Sequence, residues 1–130
     1  MKFYERLEHW AFLLRSRALY YELKYYVRKK QTHIRRLHFN NRGIGKTYNL
    51  MKISGKYKIP VVELTFKMAE YVSIKYKDLN PIVITPMQLR GVLRGVIYHP
   101  IILIDEMQLM NDKDKEEITR YIHIGFETEN

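Results

Sequence analysis

The chain has 130 residues, 46% of them hydrophobic and 28% charged, with a formal net charge of +9 and no cysteine. That length suits one domain with one modest core, and the composition excludes disulfides and thiolate metal sites. No apolar run approaches the roughly 20 residues of a membrane span, and the apolar stretch ahead of Arg15 and Arg17 is too short for a secretory signal, so a cytoplasmic protein is expected. The charge is uneven: residues 1–36 hold ten Lys/Arg and three Glu, +7, which leaves +2 for the rest.

Residues 3–31 contain no Gly or Pro and are predicted to form one helix. Phe3, Leu7, Trp10, Leu14, Ala18, Tyr21 and Tyr25 recur at three- and four-residue steps and make an apolar stripe. Arg15, Arg17, Lys24, Arg28, Lys29 and Lys30 stand mostly off it. Such a helix packs on a sheet or on another subunit. Its cations, interleaved with Tyr20, Tyr21, Tyr25 and Tyr26, also offer phosphate neutralisation and stacking faces to nucleic acid, and membrane-surface binding is a third use. The chain therefore divides into a basic aromatic helix, residues 1–33, and a core, residues 34–130.

Ile34 to Phe39 is predicted as a strand that feeds a glycine-rich turn, Asn40 to Gly45. Lys46 to Ser54 follows as a helix carrying Leu50, Met51 and Ile53, with Gly55 as its stop. Ile59 to Leu64 reads as a strand in which Pro60, at the start, is tolerable. Lys67 to Lys77 is a predicted helix with Met68, Tyr71, Val72 and Ile74 facing inward. Asn80-Pro81 signals a turn and Ile82 to Ile84 a short buried strand. Thr85-Pro86 reads as an N-cap with proline in the first turn, opening a helix from Met87 to about Val96 that carries Arg90 and Arg94 on one face. Ile101 to Ile104 is a continuous apolar run, as in a strand buried on both faces. Asp112 to Glu117 begins a short helix or loop, and Tyr121 to Phe126 is a further core strand. Strands alternating with helices imply an α/β fold with a parallel sheet.

Two stretches carry chemistry. In Asn40-Asn41-Arg42-Gly43-Ile44-Gly45-Lys46-Thr47, a glycine-rich turn opens a helix, where backbone N–H groups and the helix dipole favour phosphate. In Ile101-Ile102-Leu103-Ile104-Asp105-Glu106, an acid ends a buried strand, the place where ligands bind in such sheets. The five histidines show no metal-ligand spacing.

Together the two stretches resemble the Walker A and Walker B motifs of the P-loop NTPases. Asn40 stands where the full pattern has glycine, and asparagine is the non-glycine residue that best tolerates left-handed backbone. The adjacent Asp105-Glu106 is similar to the additional-strand ATPases: the AAA+, RecA-like, helicase and packaging-motor families. Asp105-Glu106-Met107-Gln108 resembles the DExQ sequence of some helicases and phage-type ATPases. The compact form looks like small ATPases of phage or mobile-element origin.

The resemblance implies a compact P-loop core binding ATP and Mg2+. Asn40, Gly43, Ile44 and Gly45 would line the phosphates, Lys46 would reach the β- and γ-phosphates, and Thr47 and Asp105 would organise magnesium. Glu106 would be the general base toward water, with Gln108 and either Thr128 or Asn130 sensing the γ-phosphate. An arginine finger would come from Arg90, Arg94, Arg120 or another subunit. The function implied is a magnesium-dependent ATPase acting on or near DNA or RNA, with a homo-oligomer or a protein partner completing the site. A different class is a P-loop scaffold that binds nucleotide without turnover and regulates a partner. A nucleotide or small-molecule kinase is disfavoured by the adjacent Asp-Glu pair.

Overall fold

The computed structural model describes residues 2–38, 45–92 and 100–129, the side chains of residues 90–92 excepted. The elements run α1 (Phe3–Lys29), β1 (His33–His38), α2 (Lys46–Tyr57), β2 (Pro60–Val62), α3 (Phe66–Lys75), β3 (Ile82–Ile84), α4 (Pro86–Val92), β4 (Ile101–Ile104), α5 (Asp112–Ile118) and β5 (Ile122–Glu129). The predicted α/β class holds: five strands form one sheet in the order β1-β5-β4-β2-β3, and every pairing is parallel. The last strand is inserted between the first and the fourth. It pairs with β1 through His33↔Ile124 to His38↔Glu129 and with β4 through Ile101↔Ile122 to Ile104↔Gly125.

Strand side chains alternate between two packed layers. Val61, Leu103, Ile124 and Phe126 meet Leu50, Met51 and Ile53 of α2, Val72 of α3 and Leu19, Leu23 and Val27 of α1. Val62, Ile102 and Ile104 face the opposite way, against Leu89 of α4 and Ile118 of α5. The four residues of β4 are all buried, which explains why its sequence is uninterrupted by polar residues. Among the described residues no helix is long and apolar enough to cross a membrane.

Of the two placements expected for the apolar stripe of α1, on the sheet or on another subunit, the first is not found. Leu19, Leu23 and Val27 are the buried residues of α1, whereas Phe3, Leu7, Trp10, Leu14, Ala18, Tyr21 and Tyr25 are exposed. The helix is apolar on two sides, and the sheet takes the side with the β-branched and leucine residues near its C-terminal half. Its seating is specific. Asn49 Nδ2 of α2 donates to the Ser16 carbonyl at 2.8 Å, Arg35 of β1 pairs with Glu22 at 2.8 Å, and the Tyr26 ring stacks on His33 at 3.8 Å.

Two further expectations are corrected. Helix α2 runs through Gly55 to Tyr57 and ends on Lys58 in left-handed backbone. Gly55 is there for closeness: a Cβ on it would lie 1.8 Å from the Leu79 carbonyl oxygen. In α3, Ala69 and Val72 are the buried residues, while Tyr71 and Ile74 are exposed. The N-cap at Thr85 takes its expected form, with Gln88 N–H donating to Thr85 Oγ1 at 3.4 Å and the Gln88 side chain accepting from Thr85 N–H at 3.0 Å. That reciprocal pair satisfies two end donors of α4.

Candidate functional site

The site lies at the carboxyl ends of β2, β4 and β5, facing the first turn of α2. Gly45 is the N-cap of α2 with φ 85°, left-handed backbone that glycine adopts without strain. It also sits tightly under α1, since a Cβ on it would come within 2.5 Å of Ser16 Oγ. Lys46 and Thr47 follow in the first turn of the helix. Asp105 and Glu106 leave the end of β4, and a short turn, Met107–Leu109, carries Gln108 back over them.

These side chains form one connected network. The Thr47 hydroxyl donates to the Asp105 carboxylate, 3.2 Å from each oxygen. Lys46 Nζ donates to Glu106 Oε1 and stands 3.6 Å from Asp105 Oδ1. Gln108 Nε2 donates to Glu106 Oε2, the Thr128 hydroxyl donates to the same oxygen at 3.1 Å, and Thr128 N–H donates to Gln108 Oε1 at 2.8 Å. Gln108 therefore bridges the acid and the inserted strand. Burial works against the Glu106 charge. The hydrogen bonds from Lys46 and Gln108, the Lys46 charge and the Thr128 hydroxyl outweigh it and hold the carboxyl below its usual value.

A third acid belongs to the site and was not read from the sequence. Glu63 follows β2 and is 1% exposed. Burial, then a side-chain hydrogen bond with Asp105 and the Asp105 charge, push its carboxyl up to about 10. It is thus neutral at ordinary pH and holds its proton toward Asp105. One oxygen, Glu63 Oε1, has no hydrogen-bond partner, which a neutral carboxyl tolerates better than a charged one. The signal was in the sequence: an acid closes the run Ile59–Val62 as Asp105 closes Ile101–Ile104. Its meaning comes only from the register between β2 and β4.

Beside the acids lies a groove of about 400 Å³. Its floor is Thr47, Asp105 and Glu106, and one wall is α3, with Lys67, Tyr71 and Lys75. No group of three or more His, Asp or Glu is placed to hold a metal among the described residues. Thr47 and Asp105 offer a hydroxyl and a carboxylate at 3.2 Å, an all-oxygen pair suited to magnesium, which keeps several waters and takes substrate oxygens.

The remaining expected residues are scattered. Asn40, Gly43, Ile44, Arg94 and Asn130 lie outside the described residues, as does the Arg90 side chain. Arg120 is 3.4 Å from Glu117 and joins none of the site hydrogen bonds given above. At 100° per residue, Arg17, Lys24 and Arg28 line one flank of the exposed stripe of α1, and Arg15 and Lys29 line the other. They are not gathered on one surface.

Comparison with protein-family models, with curated proteins and with solved structures finds no match for this chain.

Proposed function

We propose that the chain is an ATP-binding protein, a magnesium-dependent NTP hydrolase of the P-loop kind that acts on or near nucleic acid. The observation that carries this reading is the meeting of Lys46 and Thr47, at the start of α2, with Asp105 and Glu106, at the end of β4. The inserted strand adds support, because β5 brings the Thr128 hydroxyl onto Glu106.

In this reading Lys46 binds the phosphates, and its ion pairs with Asp105 and Glu106 are exchanged for phosphate oxygens. Thr47 and Asp105 hold magnesium, which neutralises phosphate charge when bound. Glu63 keeps the Asp105 carboxylate oriented by donating to it. Glu106, ionised and held by Gln108 and Thr128, accepts a hydrogen bond from the attacking water and orients it. A carboxylate held below its usual pKa is a weak base, so positioning outweighs full proton abstraction. The groove along α3 opens onto Glu106 and gives a second molecule access to the reacting end.

A second reading is a nucleotide-binding scaffold without turnover that engages a protein partner. The exposed apolar stripe of α1 favours it. Magnesium-dependent ATP hydrolysis with and without single- and double-stranded DNA, with Lys46→Ala as control, separates the two. Turnover that DNA raises and Lys46→Ala abolishes supports the hydrolase, and nucleotide binding without turnover supports the scaffold.

A further inference from the structure

Helix α1 carries a large apolar face that no part of the described chain covers. Phe3 is 77% exposed, Trp10 63%, Leu14 62% and Tyr21 63%. With Leu7, Ala18 and Tyr25 they form one stripe, roughly opposite the row Leu19, Leu23 and Val27 that seats the helix on the sheet. Taking ~150–250 Å² for each aromatic ring, the stripe offers on the order of 700 Å². That is close to the ~800 Å² per partner of a standard interface, and exposed patches of this size mark contacts.

The spacing identifies the partner. The steps between stripe residues are 4, 3, 4, 4, 3 and 4, a pattern that reads the same in both directions about Leu14. A two-fold axis through Leu14 therefore maps the stripe onto itself. We infer that two copies of this chain associate through α1 as an antiparallel pair centred on Leu14. Phe3 then meets Tyr25 of the second copy, Leu7 meets Tyr21, and Leu14 meets its own counterpart. Trp10, the largest residue, meets Ala18, the smallest. This is the self-complementarity an isologous interface requires. Each sheet lies behind its own helix, so the two bodies sit on opposite sides of the pair and do not collide.

Competing occupants fit less well. None of the seven stripe residues is charged, and the cations are split between the two flanks, whereas a phosphate backbone wants cations along its line of contact. A bilayer surface would use the apolarity but gives no reason for a pattern symmetrical about one residue. The pairing does not depend on what the nucleotide-like site binds.

The chain has no cysteine, so single introduced thiols report the register cleanly. Sedimentation equilibrium of the full chain should show a dimer. Leu14→Glu, an exposed change that places two carboxylates face to face, should weaken it at least tenfold while circular dichroism stays unchanged. Under mild oxidation Leu14→Cys should crosslink to itself. Leu7→Cys should not, since its two copies would stand 14 residues, about 21 Å, apart along the helix. A blue shift of Trp10 emission should accompany association. The inference is overturned by a chain that is monomeric up to its solubility limit, by a dimer indifferent to Leu14→Glu, or by equal crosslinking of both thiols, the signature of parallel pairing. Monomers that bind anionic phospholipid vesicles through the stripe would overturn it too, in favour of the membrane.

Discussion

Glu63 and Asp105 stand abreast at the ends of neighbouring parallel strands, joined by a side-chain hydrogen bond. The register Val62↔Ile104 makes them the next pair in line, and burial plus the Asp105 charge push the Glu63 carboxyl up to about 10. The consequence is thermodynamic. Between the ordinary carboxylate value and about 10, folded Glu63 keeps a proton that the unfolded chain has lost. Stability contributed through this group therefore falls as pH rises across that window. Glu63→Gln removes the dependence and keeps a donor toward Asp105. Its melting temperature relative to the parent should climb from about pH 5 to about pH 9, as read by thermal unfolding. A constant difference over that range would show that Glu63 is ionised in the fold. Glu106, held low, acts with the opposite sign: its contribution is lost only as pH falls through its folded value, on the acid side of this window.

Glu106→Gln is isosteric and keeps a hydrogen bond available to Gln108 or Thr128. Nucleotide affinity should be retained, while turnover drops ~100-fold or more, the lower range for loss of an acid–base group. Steady-state hydrolysis beside equilibrium binding measures both; normal turnover in this variant would falsify the assigned role.

Thr128→Val removes one hydrogen bond to a charged group, on the order of 1.5 kcal/mol, or about tenfold. The loss should fall on kcat with KM little changed, and Thr128→Ser should restore the rate. A rise in KM alone would place Thr128 in substrate binding instead.

Three substitutions test the packing. Leu23→Ala should cost about 2–5 kcal/mol, as a buried leucine does, whereas Leu7→Ala should be nearly silent in dilute, monomeric protein. Gly55→Ala, whose Cβ would sit 1.8 Å from the Leu79 carbonyl oxygen, should cost about 1–3 kcal/mol as an overpacked site. Urea unfolding decides all three, and a harmless Leu23→Ala would mean that the other face of α1 is the seated one.

The architecture was legible where local pattern and global fold agree. The run Ile101–Ile104 reads as a strand covered on both faces, and alternating elements implied the parallel sheet. The orientation of α1 was not legible, because both of its faces are apolar and periodicity cannot rank them. The decision comes from partners distant in sequence: Asn49 takes Ser16, and Arg35 takes Glu22. Tyr71 and Ile74 misled for the same reason, since an apolar residue at helical spacing need not be covered. At the site, Lys46, Thr47, Asp105, Glu106 and Gln108 follow from motif chemistry and are brought together, and Thr128, expected as an alternative to Asn130, meets Glu106. Glu63 escaped because a lone acid after a strand gains significance only from the strand that pairs beside it.

The most direct test of the central claim is calorimetric titration of the purified chain with ATP in the presence of magnesium, parent against Lys46→Ala. The account predicts saturable binding that Lys46→Ala weakens at least tenfold and that chelation of magnesium reduces. Absence of binding by the parent, or equal binding by both chains, would contradict it.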